Sequence, residues 1–162
     1  MKTKTGQTLA SKIAHIAGTI GSEHFPTGDR AVLRRMNPSG RSPLPLAFYR
    51  FASHHLEDWH YAPNDWVAIV AGIAIMSPGA YDPSRSLGKV LAETRYSEAR
   101  LERLLASEGN TRRTLLLRAA RFLATKNMAF NWTDAAQLLL TTEPEKLERL
   151  HRRIAHDFYS SI

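Results

Sequence analysis

The run Trp66–Met76 leaves this chain the least freedom. Its 11 residues carry no charged side chain and are apolar almost all the way round a helix. A helix of that kind has to be enclosed by other elements, because no side of it can face water without loss. It is also too short to cross a membrane, which takes about 20 apolar residues. The spacing therefore predicts a buried central helix, opened by Asn64 or Asp65 and covered by amphipathic neighbours.

The covering helices can be read from the period of their apolar residues. Leu9, Ile13, Ile16, Ala17 and Ile20 share one face after a flexible N-terminal tail. Asp29 is placed to cap a short helix through Met36, with Val32, Leu33 and Met36 inward, Arg30 and Arg34 on the opposite side and Arg35 on the flank. Asn37–Pro45, with three prolines and a glycine, predicts an irregular loop before a helix over Leu46–Leu56. Ser77–Ser84, with Pro78, Gly79, Asp82 and Pro83, is the strongest break. It divides the expectation into an N-terminal helical bundle over 1–80 and a C-terminal one over 81–162.

Beyond the break, Ser86 and Ser97 are placed to cap helices over Leu87–Thr94 and Glu98–Ala106. Glu108-Gly109-Asn110 predicts a tight turn with a left-handed glycine. Thr111–Lys126 then buries Leu116, Ala119, Ala120 and Leu123, and Asn131 or Thr133 opens a helix through Leu140. Thr142 and Glu145 have capping-box spacing ahead of a last helix burying Leu147, Leu150, Ile154 and Phe158. No β-alternating run of useful length interrupts this pattern. The expected fold is all-α, about nine helices in two small packed bundles.

Charge narrows the function. The net charge is +7, from 16 arginines and 6 lysines against 15 acidic residues. Guanidinium binds phosphate oxygens in a planar, bidentate way, so this excess predicts a polyanionic partner, nucleic acid ahead of a membrane surface. There is no cysteine, which excludes disulfides, thiolate metal sites and cysteine nucleophiles. His54, His55 and His60 lack the i, i+4 pairing of a helical zinc site, and His151 and His156 fall on different sides of their helix. No metal or cofactor is expected. No glycine-rich phosphate loop, nucleophile elbow or two-metal carboxylate cluster is present either, so no enzymatic activity is expected. The polar Met1–Thr8 does not look like a signal peptide, and a cytoplasmic location is expected.

The basic residues pair along predicted helices. Arg100 and Arg103 share one side, Arg112 and Arg113 open the next helix, and Arg118 and Arg121 continue its polar side. Arg152 and Arg153 lie on the exposed side of the last helix. Together with Arg34 and Arg35 they predict a distributed polyanion-binding surface.

From Asp29 to Tyr159 the chain resembles the CasB family, the small subunit of the type I-E CRISPR Cascade complex. The resemblance rests on Asp29-Arg30-Ala31-x-Leu33-Arg34-Arg35, Ala47-Phe48-Tyr49 and Ser86-Leu87-Gly88-Lys89. It continues through Ser97-Glu98-x-Arg100-Leu101-x-x-Leu104-Leu105, the Arg118/Arg121 helix and Trp132. It implies two small helical bundles, no catalysis, and a place in two copies within a crRNA-guided complex. Other Cascade subunits, crRNA, and the target and displaced DNA strands are the implied partners, with contacts that help hold the R-loop open. Arg34, Arg35, Lys89, Arg100 and Arg121 match the family's basic positions. Arg112, Arg113, Arg118, Arg152 and Arg153 come from the residue pattern alone.

Two other readings predict different behaviour. Glu98–Ala106, the turn and Thr111–Lys126 could form a helix-turn-helix regulator, with Arg112 and Arg113 at the base-reading end. A helical scaffold using its arginines on acidic protein is the third.

Overall fold

The computed structural model describes residues 7–162. Among these are nine α-helices: α1 (Leu9–Ile20), α2 (Thr27–Arg34), α3 (Leu46–His55), α4 (Pro63–Met76), α5 (Leu87–Glu93), α6 (Glu98–Ala106), α7 (Gly109–Thr125), α8 (Trp132–Leu140) and α9 (Pro144–Ser160). A single 3₁₀ turn, Trp59–Tyr61, precedes α4. No sheet forms among the described residues, and one isolated bridge joins Tyr81 to Phe130. The all-α reading holds. The expected N-terminal tail falls mostly outside the described residues.

α4 occupies the centre, as its apolar circumference requires. It packs against α1, α2, α7 and α8, and Trp66–Ala74 is buried throughout. Gly72 lies against the indole of Trp132, which is fully buried on α8. Elsewhere α5 runs along α9, and α6 lies on α7. The boundary expected at Ser77–Ser84 falls in the link between α4 and α5. Helices on either side of that link contribute to one cluster of buried residues, from Leu9 to Phe158.

Local capping follows the sequence where a side chain has only to reach its own turn. Ser86 accepts from the Lys89 N–H, Ser97 from Arg100 N–H, and Asn131 from Thr133 N–H. Three expected starts differ. α2 begins at Thr27, and Asp29 sits inside its first turn, where both carboxylate oxygens accept from Arg50 Nη2 at 3.0 Å. Pro63, tolerated in a first turn, opens α4 ahead of Asn64 and Asp65. At α9 no side-chain cap forms and the Thr142–Glu145 box is absent, because Glu143 takes the cap position ahead of Pro144. Gly109 is left-handed as expected, with φ of 55°, but it opens α7 rather than closing α6.

Two histidines couple the fold to pH. His15 Nε2 on α1 lies 3.0 Å from His55 Nδ1 on α3. Burial, then the nearby His15 and His54, pushes the His55 pKa below its ordinary range. His151 is pushed the same way by burial and by Arg112. Each group then binds a proton less readily folded than unfolded, so this share of stability is present above about pH 6.5 and lost as pH falls below it. The denaturant midpoint is expected to drop between pH 7.5 and about pH 5.5, and the drop should shrink in His55→Gln. A midpoint that rises over that range would contradict the assignment.

Candidate nucleic-acid interface

Ser97 starts α6 and thereby fixes the direction in which Arg100 and Arg103 leave its surface. Arg100 Nε donates to Ser97 Oγ at 3.2 Å. Its guanidinium carbon lies 4.3 Å from the Tyr96 ring centroid and 4.8 Å from that of Phe122 on α7. The two rings meet edge to face, 5.5 Å apart. Arg103, Arg118 and Leu115 complete a small cleft with Tyr96 and Arg100, about 100 Å³ in volume. No carboxylate lines it. Glu98 is turned away, toward Tyr159 on α9. Burial pushes the Tyr96 hydroxyl pKa up, while the positive charges of Arg100 and Arg103 pull it down.

Three guanidinium groups thus converge from two helices on one recess. Arg121 lies one turn beyond Arg118, and Lys126 reaches over the Phe122 ring at 5.5 Å. Arg103, Arg118 and Arg121 are exposed and have no ion-pair or hydrogen-bond partner among the described residues. Chemically this is a place for oxyanions.

The other expected residues meet different fates. Arg35 and Lys89 are exposed and unpaired among the described residues. Arg34 is exposed too, but it donates from Nε to the Ala74 carbonyl at 2.8 Å and from Nη2 to Ser77 at 3.3 Å. Arg30 does the same for Ile20 and Ser22, at 2.9 Å each. Both arginines therefore tie α2 to carbonyls at the ends of α4 and α1, where Ala74 and Ser22 also accept from the backbone N–H groups of Ser77 and Phe25. The outward-facing role expected for Arg34 is replaced in part by this tie. Arg152 pairs with Glu148 on its own helix. Arg153 reaches Asp134 at 2.7 Å, whose other oxygen accepts from the Leu87 N–H at 2.9 Å. That carboxylate joins α5, α8 and α9. Burial pushes its pKa up against the pull of Leu87 and Arg153.

Arg112 and Arg113 are turned into the fold. Arg112 is only 8% exposed. Its Nε and Nη2 donate to the Ser107 carbonyl and its Nη1 to Leu138 at 3.1 Å, so it ties the α6–α7 corner to α8. Arg113 is half-buried and pairs with Asp65 on α4 at 2.9 Å. Neither guanidinium is presented to a phosphate outside the fold. The same placement removes both from the reading end of a helix-turn-helix. Tyr96 and Phe122 are what the helical pattern undervalued. The i, i+4 spacing of Tyr96 and Arg100 was the available signal, while Phe122 joins them only through tertiary packing.

No group of three His, Asp or Glu residues among the described residues is arranged to hold a metal ion. No helix among them is long and apolar enough to cross a membrane. The family model described as CRISPR-associated protein Cse2 matches residues 29–159. No curated protein matches the chain.

Proposed function

Because the chain belongs to the Cse2 family of CRISPR-associated proteins, and so is a subunit of a Cascade complex, we propose that it is the small subunit that steadies target DNA there without catalysis. It contacts nucleic-acid backbone without reading sequence, and so helps to hold the R-loop open. Its partners in this reading are the other Cascade subunits, crRNA, the target and displaced strands, and a second copy of itself, in the cytoplasm. The observation that carries the reading is the α6–α7 cleft, where Arg100, Arg103 and Arg118 converge without an acidic residue.

The energetics favour such a role. Forming a guide heteroduplex roughly balances the duplex that is lost, so backbone contacts can tip the exchange; that balance is described for another RNA-guided effector class. Guide pairing supplies the sequence information, which leaves the subunit to supply charge. Arg121, Lys126, Lys89 and Arg35 extend the proposed contact set, while Arg112 and Arg113 leave it.

The full chain is expected to bind mixed-sequence DNA with a steep salt dependence. The log–log slope should be about 0.9 per phosphate neutralised on duplex and about 0.7 on single strand. A slope near zero, or a strong preference for one duplex sequence, contradicts the proposal.

A further inference from the structure

We propose that the outer face of Arg100 is a shelf for an unpaired nucleobase whose neighbouring phosphate enters the Arg103/Arg118 cleft. The inference rests on the nucleic-acid reading above and adds the manner of contact, a strand held through an unpaired base as well as through its backbone.

The argument starts from how firmly Arg100 is held. Ser97 fixes its Nε, and the Tyr96 and Phe122 rings back its guanidinium at 4.3 and 4.8 Å. A group that served only to attract phosphate would gain nothing from this, since a mobile head suffices. Arg103, Arg118 and Arg121, by contrast, have no hydrogen-bond or ion-pair partner among the described residues. Immobilising Arg100 instead produces a flat, delocalised cation with rings behind it. The residue is exposed, and no protein group takes its Nη atoms. Guanidinium planes of this sort stack on splayed-out bases.

The cleft beside it supplies the second observation. Arg103 and Arg118 line it and no carboxylate does, so it suits a phosphate better than an uncharged base. Base and phosphate then take adjacent positions, one on the shelf and one in the cleft. A duplex cannot offer that combination, because its base faces are covered by their neighbours. An unstacked strand can.

The test compares a labelled oligothymidylate with an abasic strand of equal length, both titrated with the full chain at low salt. The two strands carry the same phosphates and differ in their bases. The base-bearing strand is expected to bind roughly tenfold more tightly. Arg100→Lys keeps the charge but removes the plane. It should melt like the parent and bring the affinity ratio of the two strands down to about one. Equal affinity of the parent for the two strands overturns the shelf and leaves the phosphate reading standing. A base preference that survives in Arg100→Lys also overturns it, by placing the stacking elsewhere. Binding of neither strand overturns both readings.

Discussion

Replacing Gly88 by alanine is expected to cost the protein about 2 kcal/mol or more of folding stability, although the change favours a helix locally. In an open helix interior the substitution would stabilise by up to about 1 kcal/mol. Here a Cβ built on Gly88 would lie 2.2 Å from the carbonyl oxygen of Ile154, 2.9 Å from Asp157 Cβ and 3.0 Å from the Phe158 nitrogen. The nearest of these is backbone, so no rotamer change relieves the contact. α9 would have to withdraw from α5, and Leu87, Leu91, Ile154 and Phe158, all buried, would lose their packing. Gly72 faces a comparable contact with the Trp132 ring, also at 2.2 Å. Urea unfolding of Gly88→Ala measures the effect, as a lower midpoint with an unchanged slope. A variant more stable than the parent would show that α5 and α9 do not approach this closely.

Arg112→Ala is expected to destabilise by about 3 kcal/mol, far beyond the ~0.5 kcal/mol typical of surface positions. The substitution removes every guanidinium donor from the carbonyls of Ser107 and Leu138 and leaves a space at the α6–α7 corner. Lysine should not rescue it, because one ammonium cannot reproduce the planar fork that serves both carbonyls. His151 gives an independent readout. The Arg112 charge helps hold its pKa down, so in the variant His151 should keep its proton to higher pH. Arg118→Ala, by contrast, should melt like the parent. If the two alanine variants were equally stable, Arg112 would be a surface residue after all.

These two positions mark where sequence reading stops. Helix faces were legible because a 3.6-residue period needs no knowledge of the partner, and the caps at Ser86, Ser97 and Asn131 were legible because they act within one turn. The destination of a guanidinium is a tertiary matter. Arg34 finds its carbonyl acceptors on the end of α4, and Arg112 finds one on α8, both far along the chain. From sequence, those two and Arg118 look alike. Gly88 was visible as part of a motif, but its reason, the passage of α9 over it, appears only once α5 and α9 are packed. The candidate cleft was half legible. The i, i+3 spacing pairs Arg100 with Arg103, whereas the meeting with Arg118 over Tyr96 depends on how α6 lies on α7.

The proposal that this subunit steadies target DNA through the α6–α7 cleft is tested most directly in the assembled complex. Cascade reconstituted with Arg103→Glu/Arg118→Glu would be compared with Cascade carrying the parent subunit, reading the dissociation rate of bound target DNA. Both positions are exposed and unpaired among the described residues, so the isolated variant should melt like the parent and enter the complex normally. Each exchange turns an attraction for phosphate into a repulsion, and target DNA should then leave roughly tenfold faster or more, most clearly at low salt. Unchanged retention by complexes that contain the folded variant would contradict the account.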